Sequence, residues 1–299
     1  MTKLSAENFY GRKFGGAVFS VVMFLYIFIN FACGFLIAFT IGLGRFYVAA
    51  SALFSVTAIL AVLLYVSSRR RESFPSVVNA KKFPPVFIVF SVLLSVGMFA
   101  GFGFINVAIS DYIFSIGGNV VNSGIVIDSP FSLVMFLILY GLLPALFEEF
   151  MFRGLILSAL GKNIVAAVIS GLIFALYHCN IAQFVYQFLY GFSLALLALK
   201  SGSVLPSVIS HFINNAAVLS FMYFKFDVPL FDPILIICGV AVFSLFLLFV
   251  FLAREKGKDA TDCVGTEEKK EDSLKKFFLF SAPGIAACAL ITISNVITF

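Results

Sequence analysis

Long apolar runs separated by short polar segments occupy most of this chain. The runs fall at about 14–42, 47–67, 86–109, 129–160, 164–179, 181–199, 203–224, 232–253 and 277–297. An α-helix needs about 20 apolar residues to cross the roughly 30 Å core of a bilayer. The pattern therefore predicts an all-α, multi-spanning membrane bundle of about nine helices, or eight if one run does not cross. Pro144 lies in the longest run and predicts a bend or tilt there.

The composition supports a membrane protein. Hydrophobic residues make up 62% of the 299 positions and charged residues 12%, and the mean hydropathy is +1.09. A soluble domain of this length cannot bury so much apolar surface. The net charge of +5 does not indicate nucleic-acid binding, because the basic residues cluster between the apolar runs. The five cysteines contain no CxxC motif and predict neither a disulfide framework nor a zinc knuckle.

The lysine and arginine residues orient the predicted helices. With a cytoplasmic N-terminus, all but three of the 20 basic residues fall in or beside cytoplasmic segments, and the exceptions are Arg45, Lys225 and Arg153. Cytoplasmic loops of membrane proteins carry such an excess, so we expect the N-terminus inside and the C-terminus outside. The charged stretch 254–276 is expected to be a flexible cytoplasmic linker. We expect a multi-pass protein of a prokaryotic plasma membrane, with membrane lipids as its surroundings.

Three charged residues interrupt the fourth apolar run: Glu148, Glu149 and Arg153. Ionisable side chains within the hydrocarbon region are costly and mark functional sites. Glu149 and Arg153 are four residues apart on one helix face, so the spacing predicts an ion pair. Glu148 is about 100° further around the helix and can face a cavity instead. We therefore interpret Glu149 as structural and Glu148 as a base that takes a proton from water.

The only two histidines of the chain also lie in apolar runs. At about 1.5 Å per residue from the cytoplasmic helix ends, Glu148 and Asn215 lie roughly 18 Å deep, His178 roughly 21 Å and His211 roughly 12 Å. His211 and Asn215 share a helix face. A carboxylate, an imidazole and an amide at one level in three helices predict a single site.

Three motifs resemble those of the CAAX prenyl protease and bacteriocin-processing family, also called the Abi family. "EEFMFRG" at 148–154 is similar to EExxxR, "FALYH" at 174–178 to FxxxH and "HFINN" at 211–215 to HxxxN. The resemblance covers about residues 140–220. It divides the chain into N-terminal helices at 1–128, a catalytic core at 129–225, and C-terminal helices with the charged linker at 226–299.

The resemblance implies a glutamate-dependent intramembrane endopeptidase without a cofactor. By matching positions, Glu148 would be the general base and His178 would help to hold the water. His211 and Asn215 would donate hydrogen bonds to the oxyanion, with the Glu149–Arg153 pair in support. The implied substrate is a peptide or protein, lipid-modified or embedded in the membrane, and some members of the family act in bacteriocin maturation or immunity.

Other functions remain open on the sequence alone. Glu148, His178 and His211 are a candidate zinc site with water as the fourth ligand, although the chain has no HExxH motif. A proton-coupled transporter or a non-catalytic immunity protein is the alternative from another class. A structural role is also open, with His178 at a helix end and His211 and Asn215 joining helices.

Overall fold

The computed structural model describes residues 12–40, 45–120, 125–226, 229–253 and 267–297, and these contain helices and no strand. We number nine helices in chain order. They are α1 Arg12–Thr40, α2 Arg45–Arg70, α3 Val86–Ser115, α4 Pro130–Leu160, α5 Ile164–Tyr177, α6 Phe184–Ser201, α7 Leu205–Phe224, α8 Pro233–Leu252 and α9 Glu267–Ile297. A four-residue helical turn, Phe74–Val77, lies between α2 and α3.

Eight of these helices are long and apolar enough to cross a membrane, so the described residues confirm an all-α, multi-pass membrane protein. The ninth, α5, has 14 residues and is about 21 Å long, which is shorter than a hydrocarbon core of about 30 Å. Large apolar side chains face outward, as on α1, where Phe31 is 76% exposed. Such a surface suits lipid and would be unstable in water.

The helix ends meet at two poles. At one pole, Asn119 N donates to Val296 O at 3.2 Å, which joins the segment after α3 to the end of α9. At the other, Val204 N donates to Asn79 O at 3.1 Å, and the segment before α3 thereby meets the start of α7. These bonds place the starts of α3 and α7 at one pole and the ends of α3 and α9 at the other, as the alternating course of the apolar runs predicts. The side of the membrane that holds the N-terminus stays a prediction.

Small residues let two pairs of helices pack at backbone distance. A Cβ atom at Gly239 of α8 would clash with the backbone nitrogen of Gly101 in α3. Between α1 and α9, Ser20 Oγ donates to Phe280 O at 2.6 Å, and Gly284 N donates to Ser20 Oγ at 3.2 Å. Such contacts fix helix positions in a bundle that has little hydrophobic driving force inside lipid.

The predicted flexible linker at 254–276 is only partly correct. Residues 254–266 lie outside the described residues, but α9 begins at Glu267, so the second part of the predicted linker is helical. The sequence "EEKKEDSLKK" explains this, because it consists mostly of good helix formers and its acidic residues lie near the helix N-terminus.

The fourth helix departs from regular α-helical geometry on both sides of Pro144. Two π-helical segments, Leu137–Leu142 and Phe150–Ile156, flank the α-helical segment Leu143–Glu149. Proline has no N–H to continue the helix ladder, which explains an irregularity before it. Single π-helical turns are frequent at functional sites. The first π-helical segment, Leu137–Leu142, precedes the two adjacent glutamates.

Candidate active site

A buried ion pair forms the centre of the candidate site. Glu149 Oε1 accepts hydrogen bonds from Arg153 Nη1 at 2.8 Å and from His211 Nδ1 at 2.9 Å. Glu149, Arg153 and His211 are 0%, 2% and 3% exposed. Arg153 Nη2 also donates to Gly191 O at 2.8 Å. One carboxylate therefore ties α4 to α7, and its arginine partner ties α4 to α6.

The ring of Phe174 lies among the charged and imidazole groups of this site. Its centroid is 4.7 Å from that of His178 and 5.7 Å from that of His211, and the guanidinium carbon of Arg153 lies 4.5 Å from it. A cation over an aromatic face is attracted by the ring quadrupole. Phe174 therefore packs both histidines and the arginine into one cluster, a role that helix spacing alone did not indicate.

His178 ends α5 and has a fixed ring orientation. Its Nδ1 lies 2.8 Å from Phe174 O, and because a carbonyl oxygen only accepts, the hydrogen is on Nδ1. In the neutral ring, Nε2 then carries a lone pair and is a hydrogen-bond acceptor. The residue is half-buried, at the pole where α5 gives way to the segment before α6.

Glu148 is buried beside the ion pair and is not turned toward lipid. It is 8% exposed, and its electrostatic neighbours are His211, Glu149 and Arg153. Its Oε2 has no hydrogen-bond partner in the described part of the chain. Burial of a carboxylate oxygen without a partner is costly, so a hydrogen-bond donor from a water or a substrate would stabilise this atom.

Asn215 lies on α7 one turn after His211 and binds the irregular part of α4. Its Nδ2 donates to Tyr140 O at 3.1 Å. The neighbouring Asn214 has a different partner, because its Oδ1 accepts from Tyr186 Oη at 2.7 Å. Only one of the two Asn215 amide hydrogens is needed for the bond to Tyr140, and the second is left for another acceptor.

Hydroxyl groups that the sequence did not single out support α7 from two sides. Ser210 Oγ is 2.9 Å from Ser95 Oγ of α3 and 3.1 Å from Tyr190 Oη of α6. The Tyr190 ring also lies edge-on to that of His211, with centroids 6.1 Å apart. The sequence "LPSVISHFINN" indicates these interhelical hydrogen bonds, because small and polar residues recur along one helix.

The structure thus brings Glu149, Arg153 and His211 into direct contact, with Glu148 adjacent to them. His178 joins this cluster through the Phe174 ring, and Asn215, one turn after His211 on α7, contacts α4 through Tyr140 O. Among the residues that the structure describes, no group of three or more His, Cys, Asp or Glu side chains is arranged to hold a metal ion.

Comparison with known protein families matches the middle part of the chain. Residues 130–217 match the family model described as type II CAAX prenyl endopeptidase, Rce1-like. This range contains all six predicted site residues, and it confirms the resemblance drawn from the three motifs for this part of the chain. Neither the curated proteins nor the solved structures contain a match to the chain.

Proposed function

We propose that this chain is an intramembrane endopeptidase in which Glu148 activates the attacking water. The observation that carries this proposal is the buried Glu148 carboxylate, whose Oε2 has no partner among the described residues, beside a Glu149 whose Oε1 accepts from both Arg153 and His211. The description of the matched family model as an endopeptidase supports a protease. The buried cluster supports catalysis inside the bundle.

The two adjacent glutamates have different roles in this proposal. Glu149 Oε1 already accepts from Arg153 and His211, so this carboxylate is held in the ion pair. Glu148 Oε2 has no such donor among the described residues, so Glu148 is the proton acceptor. A positioned general base of this kind contributes about 10²–10⁴-fold to the rate.

His178 holds the same water as a second acceptor. Its Nδ1–H is donated to Phe174 O, so the lone pair on Nε2 accepts one hydrogen of the water while Glu148 accepts the other. The oxygen of the water then presents its own lone pair to the carbonyl carbon of the scissile peptide bond. After the attack, Glu148 returns the proton to the leaving amine.

His211 and Asn215 donate hydrogen bonds to the oxyanion of the tetrahedral intermediate. His211 uses Nδ1–H for Glu149, so it donates from Nε2 in the imidazolium form, with Glu149 as its counter-ion. Asn215 supplies the amide hydrogen that Tyr140 does not use. Removal of one such donor typically costs about 10²–10³-fold in kcat.

The proposed substrate is a peptide or protein segment that enters the bundle from the membrane. The matched family model is described as a CAAX prenyl endopeptidase, so the first substrate to examine is a peptide whose prenylated cysteine is followed by a short C-terminal tail. Cleavage of a peptide without the lipid would instead fit a role in peptide or bacteriocin maturation, or in immunity.

Proteoliposomes that contain the purified chain test this function. Matched peptides with and without a prenyl group are added, and the products are identified by mass spectrometry for the natural chain and for Glu148→Gln. We expect defined fragments from the natural chain alone. Equal cleavage by both proteins would remove Glu148 as the base, and proton flux without any fragments would favour the transporter.

We also propose that the N-terminus is cytoplasmic, because the basic residues between the apolar runs concentrate at one pole. An epitope inserted next to Cys263 in the charged segment should react with antibody only after the cells have been permeabilised. Reaction in intact cells would reverse the orientation.

A further inference from the structure

Two buried cysteines from distant parts of the chain meet where α5 ends. Cys179 directly follows His178, and Cys288 lies on α9. Their side chains are direct neighbours, and the two residues are 7% and 0% exposed. The Cys179 thiol donates to Leu176 O at 3.6 Å. Both belong to the same cluster of buried residues, and α5 packs against α9.

A second contact between α9 and Cys179 holds this segment in place. Asn295 Nδ2 donates to Cys179 O at 3.1 Å. Cys179 has a φ of 49°, a left-handed conformation that non-glycine residues rarely adopt unless the surrounding structure imposes it. The C-terminal helix therefore positions the residue that directly follows His178, although α9 lies outside the range matched by the family model.

We propose that Cys179 and Cys288 are a disulfide-forming pair that covalently joins α9 to the segment carrying His178. Thiols that are direct neighbours can form an S–S bond of about 2.05 Å once their side chains rotate toward each other. Cys179 lies between two helices, and its side chain can rotate about the Cα–Cβ bond, whereas Cys288 is inside α9 and provides a fixed partner.

The oxidant in this proposal is a disulfide compound, which reacts by thiol–disulfide exchange. The Cys179 thiolate attacks one sulfur of that compound, forms a mixed disulfide and displaces one thiolate. The Cys288 thiolate then attacks the Cys179 sulfur and displaces the second thiolate. The two cysteines lose two electrons to the reagent, and their two protons pass to the two thiols that are released.

The position of the pair in the bundle favours oxidation. The ends of α3, α5 and α9 meet at this pole, which is opposite to the segment that holds Lys81 and Lys82. Under the proposed orientation it is the outer pole, and disulfides form and persist in compartments outside the cytoplasm. Cys33 and Cys238 lie on α1 and α8 and are at least partly exposed.

The test uses the full chain with Cys33, Cys238 and Cys263 replaced by serine, so that only the pair remains. The reduced protein in proteoliposomes is treated with 4,4′-dithiodipyridine, a small apolar disulfide that crosses membranes. Released thiopyridone is measured by absorbance, and the protein mass is measured afterwards. The matched control carries Cys288→Ser in addition.

We expect two thiopyridones per chain, no retained pyridyl group and a protein lighter by two hydrogens, with residues 179 and 288 cross-linked in the digest. The control should release one thiopyridone and retain one pyridyl group on Cys179. Two retained pyridyl groups would overturn the proposal. Complete resistance of the folded chain, with reaction only after denaturation, would also overturn it. No step measures proteolysis, so failure here is distinguishable from failure of the proposed function.

Discussion

Asn215 Nδ2 donates a 3.1 Å hydrogen bond to the backbone oxygen of Tyr140. In a regular α-helix this oxygen would accept from the N–H of residue 144, but residue 144 is a proline. A side chain of α7 thus provides a donor that the sequence of α4 removes. The amide has a structural role here in addition to the oxyanion role that we propose for it.

This relationship predicts that Asn215 and Pro144 are energetically coupled. We expect Asn215→Ala to lower the free energy of unfolding by about 1–2 kcal/mol, because the Tyr140 carbonyl loses a donor. In the Pro144→Ala variant, the N–H of residue 144 can bond to the Tyr140 carbonyl instead of Asn215. Asn215→Ala should therefore lower the free energy of unfolding of that variant by about 0.5–1.5 kcal/mol less. Thermal unfolding in detergent of the four proteins measures the coupling.

Activity separates the two roles of Asn215. If it also donates to the oxyanion, cleavage by Asn215→Ala stays low in the Pro144→Ala background while stability recovers. Asn214→Ala is the matched control, because it loses a bond to Tyr186 that Pro144→Ala does not restore. Full recovery of both cleavage and stability would limit Asn215 to its structural role.

Glu148→Gln should abolish cleavage and leave the fold intact. Glutamine retains the shape but cannot accept the proton, so we expect kcat to fall by about 10²–10⁴-fold. The unfolding midpoint should not fall, because the side chain makes no hydrogen bond to any described residue through Oε2. Glu72→Gln, at an exposed site between α2 and α3, is the control and should cleave normally.

Glu149→Gln should behave in the opposite way and destabilise the bundle. It leaves the Arg153 guanidinium buried without its counter-charge, and such a loss costs about 3–5 kcal/mol. The double variant Glu149→Gln/Arg153→Gln should lose less stability than the sum of the two single variants, because no buried charge is then unpaired. Strictly additive losses in thermal unfolding would contradict the ion pair.

Gly171→Ala should disturb the helix that carries His178. A Cβ atom there would lie 2.6 Å from Phe192 N and 3.1 Å from Phe188 O, so α5 and α6 must separate. We expect a loss of about 1–3 kcal/mol, typical of overpacking. Gly141→Ala is the matched control, since its Cβ would meet only ring atoms of Phe212 and a methyl of Leu219, none closer than 3.4 Å, and should unfold at the natural temperature.

Cleavage should survive strong chelation. The proposed reaction uses Glu148 as base and the side chains of His211 and Asn215 as donors, so no step requires zinc. Activity measured after dialysis against a phenanthroline-type chelator should equal that of the untreated protein. Loss of activity that zinc restores would instead favour the zinc site of Glu148, His178 and His211.

The sequence by itself determined the helices and the local pairs. The length of each apolar run predicted a helix in nearly the observed place, because a chain in lipid must satisfy its backbone hydrogen bonds within each segment. The spacing of Glu149 and Arg153 predicted their ion pair, because residues four apart share a face. Three motifs were enough to indicate the family before any contact between helices was known.

The tertiary structure decided which residues meet across helices. The contact of His211 with Glu149, the bond from Asn215 to Tyr140 and the meeting of Cys179 with Cys288 each join residues more than 60 positions apart. The spacing of residues along a helix determines which side chains share a face. It does not determine the rotation or the height of one helix relative to another. Those are set by close packing at glycine and serine and by hydrogen bonds between helices, which arise only when the whole bundle assembles.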